Sequence, residues 1–425
     1  MTLATLCLAA LVGVLVASCL TSSNVGLTAM AAAWLLGLYV APGYGVAPGL
    51  AGLLGWFPTD LFLTLAGTTL LFAATQSNGT LPTVVAAALR LMRGDARRAP
   101  IAFFLLAAVI SGCGAGSIAA AALLAPSASA VAARLAVPPL LMIVAVAHGA
   151  VAGALTPVSP IGVVMTDKLR GIGLVEARWS IAFWNLAAGA AVASFAYFAF
   201  DGLRRRGPAR ESDPSTTAVG SESANVGEAA RFDRRAALTL VVVAGVFGGA
   251  MFGGLHLGLA AFAGTALLFA LRAADERSSM QAVPWNVVLM VCGVSMLVKL
   301  CEAAGSLDLL ARALGRLATS DTVDAWLALV CGGISIFSST SGVVLPTFVP
   351  MVPDLIREVG GGDPERLSAA IVVGSNLVDV SPLSTVGALC IAAVPAEADP
   401  RRLFHQLLIW GVAMAPAAAL FAWLR

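Results

Sequence analysis

Ten apolar segments, each of about 20 residues, dominate the sequence and limit what it can fold into. A helix rises about 1.5 Å per residue, so a segment of this length crosses the hydrocarbon core of a bilayer. Only 11% of the residues are charged, against roughly 25% in an average soluble chain. We therefore predict an all-α polytopic membrane protein, and we exclude a soluble globule, a disordered chain and a nucleic-acid binder. The predicted spans are residues 2–20, 25–42, 59–77, 138–166, 179–200, 235–253, 256–272, 284–303, 368–394 and 403–424.

Two further apolar stretches are interrupted by polar, glycine-rich residues. In residues 100–134 the interruption lies at 111–117, and in residues 324–356 it lies at 337–342. Irregular backbone at membrane depth is tolerated only where protein buries it or where it lines a cavity. We interpret both stretches as re-entrant helical hairpins, which add no net crossing of the membrane.

Matching motifs recur in the two halves of the sequence at a nearly constant separation, which indicates duplication of one unit. Each unit contains five spans, and because five is odd the second unit must enter the membrane from the opposite side. Such inverted-topology repeats are typical of secondary transporters. The matches are 57–61 and Gly67 with 283–287 and Gly293 (separation 226), 156–162 with 381–387 (225), and Ser111, Ser117 and Pro126 with Ser335, Ser341 and Pro350 (224).

The repeat predicts the domain organisation. Residues 1–200 form the first inverted repeat, with a cytoplasmic-side hairpin at 100–134, and residues 236–425 form the second, with an outer-side hairpin at 324–356. Residues 201–235 are polar and form a linker outside the membrane. Lys and Arg are concentrated in the loops that are cytoplasmic if both termini are outside. We therefore expect an N-out, C-out protein of the bacterial inner (plasma) membrane with a cytoplasmic linker.

The fifth span of each half is interrupted by a motif rich in Ser, Thr and Pro. Proline removes a backbone donor and clashes with the preceding turn, so the helix should unwind there. The freed backbone groups and the hydroxyls then offer donors to a carboxylate or acceptors to a cation, although an ordinary packed proline kink is the alternative. The predicted substrate-binding residues, from the two breaks and the two hairpin tips, are Ser117, Thr156, Pro157, Ser159, Ser338, Ser339, Thr340, Ser341, Ser381, Pro382, Ser384 and Thr385.

Helix ends supply the predicted positive potential. The two tips and the two breaks provide four helix N-termini, which bind an anion without a buried arginine. No arginine lies in the interior of a predicted span, where a fixed charge would cost about 2.5–3.5 kcal/mol on insertion scales, and Arg235 and Arg272 stand only at span ends. Asp379 precedes the second break, where its carboxylate would hold a coupling cation, carry a coupling proton, or bond only to local backbone.

The remaining ionisable residues are few. His148 is interpreted either as a satisfied interior imidazole or as a titrating group. Lys299 should extend to the membrane interface with Glu302 as its partner, or contact the substrate. The seven cysteines lie in apolar runs without a CxxC motif, so we expect neither a zinc site nor a disulfide framework.

Five motifs resemble those of the dicarboxylate carrier MatC family, which belongs to the ion transporter superfamily and is related to the divalent anion/sodium symporters. The resemblance implies a carrier of malonate-like dicarboxylates and a homodimer. It also implies an elevator mechanism, in which hairpins and broken spans form a transport subdomain that moves against a scaffold subdomain. The motifs are residues 24–27, 57–62, 78–80, 148–150 and 156–159.

The hairpin tips depart from the pattern of the symporters. That branch has Ser-Asn-Thr at both tips, where the motif helps to bind sodium and a substrate carboxylate. Here the second tip reads Ser338-Ser339-Thr340 and the first reads Gly-Ala-Gly-Ser at 114–117, so sodium coupling does not carry over directly and H⁺ stays open as the coupling ion. The predicted coupling-ion residues are Gly114, Gly116, Asn376 and Asp379.

Together these features predict a secondary active transporter of small organic anions, such as malonate or succinate, coupled to Na⁺ or H⁺. The alternatives are an inorganic-anion or proton exchanger of the same superfamily, an anion channel and an intramembrane enzyme. An enzyme is disfavoured because Asp379 has no partner aspartate in a neighbouring motif and the three histidines do not cluster. The expected partners are the lipid bilayer and the anion, without nucleic acid, a catalytic residue, a cofactor or a metal other than a coupling Na⁺.

Overall fold

A computed structural model shows a protein made of helices, without a strand in the residues described, which are 2–21, 24–46, 48–83, 97–200, 233–336, 340–393 and 400–425. The predicted linker at 201–235 therefore lies almost entirely outside the described residues. The helices of the first half are α1 (Leu3–Thr21), α2 (Val25–Leu35), α3 (Gly49–Gly55), α4 (Thr59–Ser77), α5 (Ala99–Ile110), α6 (Gly116–Arg134), α7 (Pro139–Gly153), α8 (Pro160–Gly171) and α9 (Arg178–Ala199).

The second half contains a further set of described helices. They are α10 (Arg234–Phe252), α11 (Leu257–Ala270), α12 (Glu276–Ala282), α13 (Trp285–Ala303), α14 (Ser306–Gly315), α15 (Val323–Ser335), α16 (Leu345–Phe348), α17 (Val352–Val359), α18 (Pro364–Val378), α19 (Thr385–Ala392) and α20 (Pro400–Leu424).

The helical membrane class predicted from the sequence is confirmed. Within the described residues, six helices are long and apolar enough to cross a membrane, or seven if one bent pair counts as a single span. The ten spans stay a prediction. The predicted spans 138–166 and 368–394 each consist of two shorter helices, because the Ser/Thr/Pro motifs interrupt them.

The first interrupted stretch reverses the direction of the chain. α5 and α7 run in the same direction, because Gly149 of α7 packs on Phe104 of α5 and Gly153 packs on Ala108. α6 leaves the end of α5 and reaches the start of α7 after four residues, at 135–138. α5 and α6 are therefore antiparallel arms of one hairpin. Its placement as a re-entrant element of the membrane stays a prediction.

The second interrupted stretch has an equivalent packing. Gly374 on α18 packs on Ala328 of α15, and these positions follow Gly149 and Phe104 by 225 and 224 residues. A Cβ at Gly374 would lie 2.4 Å from the Ala328 carbonyl oxygen, and one at Gly149 would lie 2.3 Å from that of Phe104. After α15 the chain bends by 119° into residues 340–348.

The two halves also exchange contacts through paired glycines. A Cβ at Gly67 of α4 would lie 2.4 Å from the carbonyl oxygen of Gly258 on α11. At the matching positions, a Cβ at Gly293 of α13 would lie 2.1 Å from the carbonyl oxygen of Gly26 on α2. Each half thus places a helix backbone directly against a helix of the other half, and only glycine permits that approach.

The apolar core is divided into separate clusters. The largest combines α5, α6 and α7 with α18, α19 and α20. The next joins α8 and the first part of α18 to α4, α13 and α17. Another, which includes Cys7, Ala29 and Leu297, joins α1 and α2 to α13, and a further one joins α4 to α10 and α11. The candidate functional site lies between the helices of the largest cluster on one side and α4 and α13 on the other.

Candidate functional site

A cavity of about 310 Å³ lies where the hairpin tips and the two breaks face α4 and the start of α13. Both halves of the sequence contribute to its wall, which is mainly apolar with several separate polar groups. The polar side chains that line it are Thr69, Gln76, Ser117, Ser341, Asp379 and Thr385.

The tip of the first hairpin is shaped by two glycines. Gly114 has φ +114° and Gly116 has φ +80°, which L-residues with a side chain rarely adopt. A Cβ at Gly114 would also lie 2.5 Å from the Phe72 ring. α6 begins at Gly116, so the first backbone N–H groups of a 19-residue helix lie at the cavity wall. Ser117 is 3% exposed and its hydroxyl donates to no described residue.

The break in the first half is held by Ser159. Its hydroxyl donates to the carbonyls of Ala154 and Thr156 and accepts from the Gly162 N–H, at 3.2 Å. The Thr156 hydroxyl donates to the carbonyl of Gly112, which joins the break to the tip of the first hairpin. The sequence motif therefore replaces the helical bonds that its prolines remove with side-chain bonds.

The break in the second half has the same hydrogen bonds at positions 225 residues later. The Ser384 hydroxyl donates to the carbonyls of Asp379 and Ser381, the latter at 2.8 Å. Gly387 matches Gly162. Gly387 packs on the carbonyl oxygen of Ser381, as Gly162 packs on that of Thr156. One difference matters for binding: Ser384 makes no side-chain cap to α19, whereas Ser159 caps α8. The N-terminus of α19 thus keeps its first N–H groups uncapped beside Thr385, which lines the cavity.

Asp379 is the acidic residue of the cavity wall. It is 4% exposed, and its Oδ1 atom has no hydrogen-bond partner among the described residues. The side chains of Ser384 and Thr340 interact with the carboxyl group. Its counterpart in the first half is Ala154, so the two halves differ in charge at this position. No Lys, Arg or His belongs to the described lining of the cavity.

The electrostatics of the cavity follow from these groups. Helix N-termini carry about half a positive charge each, which favours an anion at the starts of α6 and α19. A buried carboxylate at Asp379 would oppose the same anion, unless a proton or a metal cation neutralises it. The arrangement can therefore bind an anion together with a cation, and it would bind either one alone less well.

The structure places the predicted site residues in three groups. Gly116, Ser117, Ser341, Asp379 and Thr385 line the cavity. Ser338 and Ser339 lie outside the described residues. The others do not line it, and they are Gly114, Thr156, Pro157, Ser159, Thr340, Asn376, Ser381, Pro382 and Ser384.

Several of that last group make hydrogen bonds within the protein instead. Thr340 is fully buried, its hydroxyl lies 3.2 Å from that of Ser335, and its side chain also interacts with the Asp379 carboxyl group. The Ser381 hydroxyl accepts from the N–H of Leu383 inside the break. The direct substrate role predicted for Thr340 and Ser381 stays a prediction.

Asn376 takes part in an amide relay between the halves. Its Nδ2 donates to Asn185 Oδ1 at 3.0 Å, and Asn185 Nδ2 donates to the carbonyls of Val151 and Ala152. The Asn376 Oδ1 atom has no described partner. The relay ties α18 through α9 to α7 near both breaks, while a coupling-ion role for Asn376 stays a prediction.

Sequence reasoning missed the contribution of α4. Thr69 and Gln76 line the cavity together with Phe72, on a segment interpreted as a plain span. The Thr69 hydroxyl already donates to the carbonyl of Leu65 at 2.6 Å, whereas the Gln76 amide makes no hydrogen bond to a described residue. A glutamine in the last turn of an apolar helix was the available signal.

The other ionisable residues lie elsewhere. His148 is fully buried, does not line the cavity, and accepts a hydrogen bond from Trp410 Nε1 at 2.9 Å. Lys299 Nζ lies 2.8 Å from Glu302 Oε2, so the predicted pairing of these two residues is confirmed.

Comparison with known families identifies the first part of the chain. Residues 1–154 match the family described as the dicarboxylate carrier protein MatC N-terminus. Over these 154 of the 425 residues, the chain is similar to dicarboxylate carriers of the MatC type. The family predicted from the sequence motifs is thereby confirmed.

The matched region runs from α1 through α7 to Ala154, so it includes the complete first hairpin and Ser117. The family match and the apolar helices together support an integral membrane protein of the carrier class. A carrier family points away from an enzyme. No curated protein matches the chain.

Proposed function

We propose that the protein is a secondary active transporter of small dicarboxylates, such as malonate or succinate, coupled to Na⁺ or H⁺. The observation that carries this proposal is the convergence of two helix N-termini on one cavity. α6 comes from the first half and α19 from the second, and the two helices pack against each other. Their first residues, Gly116 and Thr385, both line the cavity. Two such ends suit an anion with two separate carboxylates.

Cation coupling is supported by Asp379. A buried carboxylate with an unpartnered oxygen is costly as a bare charge, and it is most stable with a proton or a cation beside it. Loading that cation first would also remove the repulsion between Asp379 and an anionic substrate. The same residue thereby favours joint binding, which is the condition for symport.

Alternating access of the elevator type is supported by the division of the core. The first hairpin, α7 and α19 share one apolar cluster and α1, α2 and α13 share another, while α8 and the first part of α18 pack with α4 and α13 in a further cluster. The cavity lies between these groups, where relative movement would expose it to one side and then to the other. The contact of Gly149 with Phe104 recurs between Gly374 and Ala328, at positions 225 and 224 residues later. This match supports two repeats that exchange conformations.

Uptake by purified protein in liposomes tests the proposal. We expect saturable uptake of labelled malonate or succinate when a Na⁺ or a pH gradient is imposed. An excess of unlabelled dicarboxylate should compete, whereas a monocarboxylate should not. Protein-free liposomes provide the control. Absence of saturable dicarboxylate uptake under both gradients would refute the proposal, and single-channel currents would instead favour a channel.

Two polar side chains of the cavity wall should contribute to affinity. We expect Ser117→Ala and Gln76→Leu each to weaken dicarboxylate binding about tenfold, because each removes a donor to a charged oxygen. Isothermal titration with the purified protein in detergent measures this effect. The matched controls are Ser129→Ala on the same helix as Ser117 and Gln406→Leu on α20, which do not line the cavity. Unchanged affinity in both cavity variants would contradict the assignment of the site.

A further inference from the structure

The cavity between the hairpin tips, α4 and α13 has more room than malonate or succinate fills. Its volume of about 310 Å³ equals that of about ten water molecules, at about 30 Å³ each. Malonate and succinate consist of two carboxylates joined by one or two methylene groups, so almost all of their surface is polar. Once both carboxylates are bound, the apolar part of the wall stays uncovered.

The starts of α6 and α19 place the two carboxylates on one side of the cavity. Gly116 and Thr385 both line it and the two helices pack against each other, so α6 and α19 run side by side away from it. Axes of packed helices lie about 8–10 Å apart. Their first N–H groups therefore offer two anion sites close together, which suits two carboxylates on a short chain.

The opposite side of the cavity, formed by α4 and the start of α13, is mainly apolar. The Thr69 hydroxyl donates to the Leu65 carbonyl of its own helix at 2.6 Å, so it offers no free donor. Gln76, in the last turn of α4, is the other polar side chain on this side. Such a wall favours hydrocarbon over a polar group. Its apolar residues are Leu65, Phe72, Ala73, Pro284, Val287 and Val288.

The charge of the wall limits what else the substrate can carry. No Lys, Arg or His belongs to the described lining, so a third carboxylate would lack a cationic side chain as its partner. A hydroxyl group on the apolar side would lose its hydrogen bonds to water without replacement. An alkyl group gains from the same burial, since each buried methylene strengthens binding about fourfold.

We propose that the preferred substrate is a short dicarboxylate with an apolar branch, as in an alkylmalonate. Its two carboxylates bind at the starts of α6 and α19, and the branch lies against α4 and α13. This substrate assignment rests on the proposed dicarboxylate transport and names the kind of dicarboxylate that the cavity selects.

Isothermal titration of the purified protein in detergent, with Na⁺ present at mildly acidic pH, compares malonate, n-butylmalonate and hydroxymalonate. We expect n-butylmalonate to bind at least about tenfold more tightly than malonate, and hydroxymalonate to bind no more tightly than malonate. Equal affinity for malonate and n-butylmalonate would overturn the preference for a branch and leave dicarboxylate transport standing. Absence of binding by all three would overturn both.

An aminodicarboxylate is a competing substrate, because its ammonium group could pair with Asp379. Aspartate in the same titration is expected to bind more weakly than n-butylmalonate, since its ammonium group lies poorly against an apolar wall. Tighter binding of aspartate would overturn the proposal.

Counterflow distinguishes a transported substrate from a blocker. Liposomes loaded with unlabelled n-butylmalonate should take up labelled malonate at least as fast as liposomes loaded with malonate. Binding of n-butylmalonate without counterflow would overturn its assignment as a substrate.

Two pairs of variants locate the apolar branch. Ala122→Phe fills the cavity from α6, and Val287→Thr makes the apolar wall more polar at nearly constant size. They should reduce the preference for n-butylmalonate over malonate by about tenfold and about threefold, respectively. The controls are Ala130→Phe on α6 and Val241→Thr on α10, which are exposed and absent from the lining and should keep the preference. Thermal unfolding establishes that each variant is folded, and an unchanged preference in both cavity variants would overturn the proposal.

Discussion

Asp379→Asn is expected to abolish accumulation of dicarboxylate against its gradient while leaving exchange of dicarboxylate across the membrane measurable. Asparagine keeps the shape of the side chain and removes the charge that a coupling cation or proton would neutralise. The variant should still admit the anion, because the N-termini of α6 and α19 are unchanged. It should no longer respond to the cation gradient, so the accumulation ratio should fall at least about tenfold toward equilibrium.

Two liposome assays on one preparation separate these effects. Gradient-driven uptake measures coupling, and counterflow with trapped unlabelled substrate measures exchange without a gradient. Asp308→Asn provides a matched control, because Asp308 lies exposed on α14 and does not line the cavity. If the Asp379 variant accumulated substrate as well as the unmodified protein, Asp379 would not be the coupling residue. If counterflow were also lost while the protein stayed folded, Asp379 would be needed for substrate binding itself.

Gly149→Ala and Gly374→Ala are each expected to destabilise the protein by about 1–3 kcal/mol, and more if the backbone does not adjust. Each new methyl group would lie within 2.4 Å of a backbone oxygen on the facing helix. Backbone cannot swing aside as a long side chain does, so the two helices must separate. Similar losses at the two positions are expected because each glycine packs a broken helix against the first arm of its hairpin.

Thermal unfolding followed by intrinsic fluorescence measures the loss as a lowered midpoint. Gly248→Ala on α10 is the control, since a Cβ there meets nothing within 4 Å. That change should be neutral or stabilising by up to about 1 kcal/mol, because alanine favours a helix more than glycine does. An unchanged midpoint in both Gly149→Ala and Gly374→Ala would show that these helices do not pack as closely as the structure places them.

The two breaks could be predicted from the sequence in some detail. Their Ser/Thr/Pro motifs occur at a constant separation, and proline has the same local effect wherever it stands. The paired serines Ser159 and Ser384 were identified in this way. Their actual contacts are with the backbone of the break, since the nearest freed carbonyls belong to the break itself.

The tertiary partners could not be predicted in the same way. Gln76 faces the cavity only because α4 packs beside the first hairpin, and a helix without a clear amphipathic pattern does not indicate which side it presents. Asn376 pairs with Asn185 across 191 positions of sequence. Likewise, the contact between Gly293 and Gly26 requires both halves to be assembled.

The long apolar segments and their scarcity of charge determined, by themselves, that this chain is a helical membrane protein. They also marked Asp379 and the two breaks as candidate functional positions, because a charge or an unpaired backbone group costs free energy in the hydrocarbon core of the membrane. Only the tertiary structure decided which groups share a cavity. It selected Gly116, Ser117, Asp379, Thr385 and Gln76, and it turned several predicted ligands toward the backbone. The physical reason is that helix packing depends on contacts between distant segments, which a local pattern of residues does not specify.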